Sequence, residues 1–167
     1  MKKTQPGLSQ RQQKIYDFLR ANPVGVLSTV GPGGDPHGAV IYFDVKQDFL
    51  VFFLTRAATR KYDNIKHHTM VTLTVFDAHS QTAAQISGRA AEVTAKAQIN
   101  AIADDLLKNA IGLSGHPVSL PIAAMDGGPY TAFKIKPTHI RLASYKQAET
   151  GDQAIFESIE SFDWEPS

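Results

Sequence analysis

The chain has 167 residues, 43% of them hydrophobic, which suits one domain with a sizeable core rather than two. Lysine plus arginine number 17 against 16 aspartate plus glutamate, a net charge of +1, so no bulk charge draws the protein onto nucleic acid or an anionic membrane. With no cysteine there is no disulfide framework, no thiolate zinc site and no cysteine nucleophile. Lys2 and Lys3 lead into TQPGLSQRQQ, which lacks the apolar centre of a signal peptide, and no apolar run approaches the ~20 residues of a membrane-spanning helix. The expectation is a single domain, 1–167, in the cytoplasm, with any anion site confined to a local cluster.

Taken in order, Ser9 and Gln12 form the capping box S-x-x-Q, and Ile15, Phe18 and Leu19 make an apolar stripe, so a helix is predicted over 10–21. Asn22-Pro23 stops it. VGVLSTV, 24–30, reads as a first strand. The Gly- and Pro-rich turn over 31–38 leads by a hairpin into a second strand, AVIYFDV, at 39–45. Lys46-Gln47-Asp48 turns into a third strand beginning at Phe49. MVTLTVFD, 70–77, alternates Val71, Leu73 and Val75 with Thr72, Thr74 and Phe76, a strand with two different faces. TAAQISGRAAEVT, 82–94, is a long fifth strand in which Gly88 marks a bulge or bend.

From Lys96 to Ala110 the period changes to that of an amphipathic helix. The stretch 111–129 reads as a long loop, functional or packed on a partner. YTAFKIKPTHIRLAS, 130–144, returns to strand character, with Pro137 restricting it to an edge, a bulge or a break. Phe156, Ile159, Phe162 and Trp164 give the tail 145–167 a docking surface. About six strands joined by hairpins, with helices inserted between them, describe a small antiparallel barrel of the α+β kind, mainly β.

The stretch FLVFFLTRAATRKYDNIK, 49–66, is a buried strand feeding a helix start. Thr59 can serve as N-cap, and Tyr62 and Ile65 recur at a helical spacing. A helix N-terminus offers free backbone N–H groups and a partial positive charge, to which Arg60 and Lys61 add two full ones. Two readings fit these residues alone: a phosphate seat, or a solvated turn that happens to be basic.

The succession VGVLSTV, a Gly-Pro turn, AVIYFDV, FLVFFLT, TRK, MVTLTVFD and QISGRAAEV resembles the FMN-binding split barrel of the pyridoxamine 5'-phosphate oxidase-like superfamily. The likeness covers 23–94 and the last strand, 133–142. Its most specific block, Phe53 to Lys61, looks like the family's aromatic-X-Thr segment and Ser/Thr-Arg-Lys phosphate grip, and Gly88-Arg89-Ala90 resembles its Gly-Lys/Arg-Ala turn. The resemblance implies a six-stranded antiparallel split β-barrel with flanking helices and FMN between the subunits of a homodimer. It also implies a small-molecule substrate, with NAD(P)H as a candidate donor. The implied cofactor residues are Val40, Ile41 and Tyr42 beside the ring, Leu54 at the end of the third strand, Arg60 and Lys61 at the phosphate with the Thr55 or Thr59 hydroxyl donating to the same group, and Gln85 on the fifth strand. The ring carries the chemistry, so no side chain is assigned a catalytic role and no metal ligand is expected.

Departures bear on the substrate. Where the oxidase begins and ends its second strand with arginine and lysine, this chain has Ala39 and Asp44, and its fifth-strand glutamine falls at Ala83, with Gln85 two residues later on the same face. The C-terminal tryptophan and arginine motifs that hold pyridoxal phosphate are missing; Arg141-Leu142-Ala143 is too short to stand for them. The substrate implied is therefore something other than pyridoxamine phosphate. Alternatives on the same fold are a deazaflavin-dependent reductase, a haem-binding barrel using His116 or His139, with His37, His67, His68 and His79 on loops, and a non-catalytic flavin binder. No H-x-x-x-H, H-E-x-x-H or G-x-S-x-G spacing occurs.

Overall fold

A computed structural model describes residues 7–114, 130–145 and 156–159. Helix α1, Gln10–Ala21, begins with the predicted capping box: the Gln12 N–H donates to the Ser9 hydroxyl at 3.3 Å and the Ser9 N–H to the Gln12 side chain at 2.9 Å. Its stripe of Ile15 and Leu19 is fully buried. The strands are β1, Val24–Val30; β2, Pro36–Val45; β3, Val51–Arg56; β4, Met70–Asp77; β5, Thr82–Val93; β6, Tyr130–Ser144; and β7, Phe156–Ile159. Helices α2, Arg60–His67, and α3, Lys96–Ser114, lie between β3 and β4 and between β5 and β6. The sheet runs β3-β2-β1-β4-β5-β6-β7 and closes on itself through β3–β6, all pairs antiparallel, which makes β1 to β6 a barrel.

The barrel interior is filled by inward residues of every strand, among them Leu27, Ile41, Phe43, Phe53, Leu73, Ile86, Phe133 and Ile140. Phe53 stacks on Phe133 at 5.5 Å, and Tyr62 of α2 meets Phe133 edge-on at 5.8 Å. Helix α1 packs at the end holding the β2–β3 turn, where Tyr16 contacts Phe49. Helix α2 packs at the opposite end, where the Asn64 amide donates to Thr29 at 2.9 Å beneath the β1–β2 turn. A second, smaller core lies outside the barrel: α3 places Ile102 and Leu106 over Phe52, Leu54, Val93 and Ala132, with Tyr42, Leu50, Ile99 and Ala103 around them.

Several boundaries differ from expectation. The third strand starts at Val51, because Phe49 adopts φ 62 and belongs to a turn closed by the Lys46 and Leu50 backbones at 3.0 Å. A positive φ is costly for a bulky residue; the ring is nevertheless fixed by burial against Tyr16. The second strand starts at Pro36, and α3 runs past 110 to Ser114, so 111–114 are helix; the remainder of the expected loop, 115–129, lies outside the described residues, as do His116 and Trp164. The tail adds a seventh strand, β7, against 140–143 of β6.

His37 lies in β2 and His67 in α2 rather than on loops, and His139 lies in β6. At Gly88 the register slips against Pro137, as a bulge. Pro137 also falls in the gap where β6 has left β3, after Ile135, and not yet met β7, at Ile140, so on that side of β6 it has no ladder partner. Among the described residues no helix is long and apolar enough to cross a membrane.

Candidate functional site

Strands β2 and β3 pair through only three positions, Val45–Val51, Asp44–Phe52 and Phe43–Phe53. Continuing that register would set Tyr42 against Leu54, Ile41 against Thr55 and Val40 against Arg56. Instead β3 turns to β6, pairing Leu54 with Ala132, Thr55 with Thr131 and Arg56 with Tyr130, while 36–42 of β2 stay paired to β1 alone. A seam therefore opens between the two strands, and among the described residues no strand pairs with the β2 backbone edge along it. Five of the residues expected to hold the cofactor, Val40, Ile41, Tyr42, Leu54 and Thr55, face each other across this seam.

Their side chains do different things. Ile41 points into the barrel core, Val40 stands 68% exposed on the outer face, and Tyr42 and Leu54 pack under α3. Only backbone groups of Ile41 are available to a ligand in the seam.

The mouth of the seam is the start of α2. Thr59 occupies the N-cap position, but its hydroxyl donates to the Arg56 carbonyl at 2.8 Å and sits 3.0 Å from the Thr55 hydroxyl, so it makes no side-chain cap. Thr55 is itself buried. The two hydroxyls thus brace the strand-to-helix turn, and the first-turn N–H groups at Arg60 and Lys61 are left without a side-chain cap, the arrangement that favours an anion. Lys61 is half-buried and forms no ion pair among the described residues; desolvation pulls its pKa below the ordinary lysine value. Arg60 is more exposed, and its guanidinium lies 3.9 Å from Asp35 on the β1–β2 turn. That turn is held by the Gly31 N–H donating to the Asp35 carbonyl at 2.8 Å and by Gly34 at φ 89.

Gln85 is not brought to this cluster. It stands exposed on β5, between Thr74 and Arg141 in register, and β1 and β4 separate it from β2, about 14 Å at ordinary strand spacing. The position of the oxidase's second-strand lysine holds a deeply buried acid: Asp44 is 2% exposed, bonded by Arg20 of α1 and Asn109 of α3. Ala39 is partly buried on the inner side. Asp35 and the Asp44 cluster carry no local sequence signal, since Arg60 comes to Asp35, and Arg20 and Asn109 to Asp44, from other elements of the chain.

The outer face of the barrel is covered unequally. Helix α3 shields β3, β6 and the Tyr42 end of β2, whereas over the rest of β2, β1 and β4 the side chains of Val40, Val26, Val24 and Phe76 are bare, Val26 lying in register with Val40 on one side and Thr74 on the other. Gln85 continues that row.

No curated protein matches the chain. Among solved structures, the haem-binding protein of Mycobacterium smegmatis aligns with TM-score 0.67 at 12% identity over 93% of this chain, which spans 60% of that protein. A pyridoxamine 5'-phosphate oxidase-related, FMN-binding protein of Nostoc punctiforme aligns with TM-score 0.62 at 15% identity, over 83% of this chain and 86% of the other. General stress protein 26 of Bacillus anthracis gives 0.61 at 21%, over 80% and 94%. At such identities these establish the shared fold. A family model described as pyridoxamine 5'-phosphate oxidase matches residues 12–144, the barrel with all three of its helices. The chain belongs to the pyridoxamine 5'-phosphate oxidase-like superfamily of FMN-binding split barrels.

Proposed function

We propose that this protein binds FMN in the seam between β2 and β3 and works in the cytoplasm as a flavin-dependent oxidoreductase on a small molecule other than pyridoxamine phosphate, with NADH or NADPH as donor. The observation that carries the reading is Lys61, a half-buried cation without an acidic partner among the described residues, beside uncapped N–H groups at the end of an opened strand pair. A phosphate dianion supplies the charge that this position lacks. Arg60 can grip two phosphate oxygens in its planar fork, Lys61 adds a point charge, and the free β2 edge at Val40 to Tyr42 offers donors and acceptors to a flat ring. Thr55 and Thr59 keep the loop in shape behind the phosphate. When bound, the flavin supplies redox chemistry on its own ring, and the protein's part is to bind, orient and shield it.

The bare apolar face supports a homodimer with the cofactor between subunits. Gln85, remote from the seam of its own chain, stands on that face and in this arrangement reaches the partner's cofactor. Titration with FMN, followed by visible absorbance, tests the reading. Binding in the micromolar range that Arg60→Ala and Lys61→Ala each weaken at least tenfold is expected. Absence of binding, or binding indifferent to both substitutions, overturns it, and parallel titrations with haem and a deazaflavin show which ligand the barrel takes instead.

A further inference from the structure

The Asp44 carboxylate is the meeting point of three elements. Arg20 of α1 reaches Oδ1 at 2.7 Å, Asn109 of α3 donates to the same oxygen at 2.8 Å, and Lys46 forms an ion pair with Oδ2 at 2.6 Å. Lys46 also bonds Asp105 of α3 at 2.8 Å, so α3 is tied to β2 by two links one turn apart, Asp105 and Asn109. Leu106, between them, is buried in the small outer core with Leu54 and its neighbour Tyr42. Asp44 itself stands on the middle of the three β2–β3 rungs, opposite Phe52. The latch therefore grips α3 beside the point where the strands part, and the helix roofs Tyr42 and Leu54, the first pair to face each other across the opening.

We infer that Asp44 is a positioning residue for the ring end of the seam: through Asn109 and the Lys46–Asp105 link it holds α3 as the wall against which a planar ligand packs. This rests on the reading that the seam takes a flavin. An acid in this place is not a lost cofactor contact turned idle. It trades a direct charge on the ligand for a fixed wall, and its effect is felt by the ring and not by the phosphate. Arg20, on the α1 side of the same carboxylate, makes no hydrogen bond or ion pair to α3 among the described residues, although its charge also acts on Asp105, and so separates bonded wall-holding from general stability.

The experiment compares FMN with riboflavin, which has the ring but no phosphate. Asn109→Ala, a mild change on a half-exposed helix position, is expected to weaken both ligands by the same factor, about tenfold, the order expected for losing a hydrogen bond to a charged group. The ratio of the two affinities stays at the wild-type value, and iodide quenches the fluorescence of the bound ring more readily. Asp44→Asn behaves likewise. Arg20→Ala lowers the melting temperature and leaves both affinities in place. Unchanged affinities in Asn109→Ala, a shifted FMN-to-riboflavin ratio, or an equal loss in Arg20→Ala would each overturn the inference. A wild-type protein that binds neither flavin would instead fell the functional reading itself.

Discussion

The Asp35 carboxylate lies 3.9 Å from the Arg60 guanidinium, so the side chain expected to hold a phosphate already faces an acid on the neighbouring turn. Both groups are exposed, and such pairs contribute about 0.2–1 kcal/mol. A bound dianion has to displace or share this contact. Asp35→Asn is therefore expected to tighten FMN about two- to fivefold at low ionic strength while leaving riboflavin unchanged, as measured by fluorescence titration of the two ligands side by side.

Lys61 carries the opposite consequence. Its pKa is depressed by desolvation, so keeping it charged costs stability at neutral pH, and that cost disappears only above its ordinary value of 10.5. The group is only partly buried, which limits the effect to about 1 kcal/mol or less. Lys61→Gln should leave the ligand-free protein as stable or slightly more so, while FMN binding falls at least tenfold. Thermal melts with and without FMN would expose a stabilising role if the ligand-free variant instead melted several degrees lower.

Two glycines are fixed by close approach of backbone. A Cβ at Gly25 would stand 2.7 Å from the Thr74 carbonyl oxygen, and one at Gly88 would run into the Lys136 carbonyl at the bulge. Gly25→Ala and Gly88→Ala are each expected to cost roughly 1–3 kcal/mol by overpacking, against no measurable loss for Gly7→Ala, where nothing lies within 4 Å. Denaturant midpoints measured for the three variants decide the comparison.

Acid stability follows from two depressed carboxylates. The hydrogen bond from Lys46 lowers Asp105 below its ordinary 3.8, and the hydrogen bonds from Lys66 and then Thr131 lower Glu92 below 4.5. Each folded value is below the unfolded one, so the contribution is present above the ordinary carboxylate range and is lost as the pH falls through the lower folded value. Both groups are partly solvated, so each contribution is small, a few tenths of a kcal/mol. Asp105→Asn should shallow the loss of stability between pH 5 and about 3, seen as a flatter melting temperature across that range.

The uncovered strands β1, β2 and β4 make the association prediction. Val26→Asp puts a charge in the middle of the apolar row between Val40 and Thr74, on a side chain 42% exposed. Sedimentation should show the wild type at twice the chain mass and the variant at one chain mass, with FMN affinity falling in step. A wild type that sediments as a single chain while binding FMN tightly would count against a shared site.

How legible all this was depends on how local each determinant is. Met70–Asp77 was readable because Val71, Leu73 and Val75 alternate with smaller polar residues, and Gln10–Ala21 because Ser9 and Gln12 announce its start. The start of β3 was not readable: Phe49 to Leu54 is apolar throughout, so nothing in the period separates the turn residue Phe49 from the strand, and a left-handed backbone decides it. Arg60 and Lys61 could be picked out from a strand, a threonine and a helix start. The seam that gives them a use could not, because it depends on where the β2–β3 ladder stops, and that is set by β6 claiming Leu54 to Arg56 from far along the chain. Asp44 reads in sequence as an ordinary strand-end acid; only the arrival of Arg20 and Asn109 makes it a buried hub.

The β3–β6 closure joins residues 51–56 to 130–135, with two strands and two helices lying between them in sequence. Hairpins β1–β2 and β4–β5 need only short turns, so they can form early, whereas the closing ladder must wait for most of the chain to be made and for the largest loop entropy to be overcome. Until then Phe53 and Phe133, which stack only once the circle is complete, stay open to other chains. Refolding at high concentration should thus lose yield to aggregates nucleated at these two strands, and a newly synthesised chain is most vulnerable just before its final long strand leaves the ribosome.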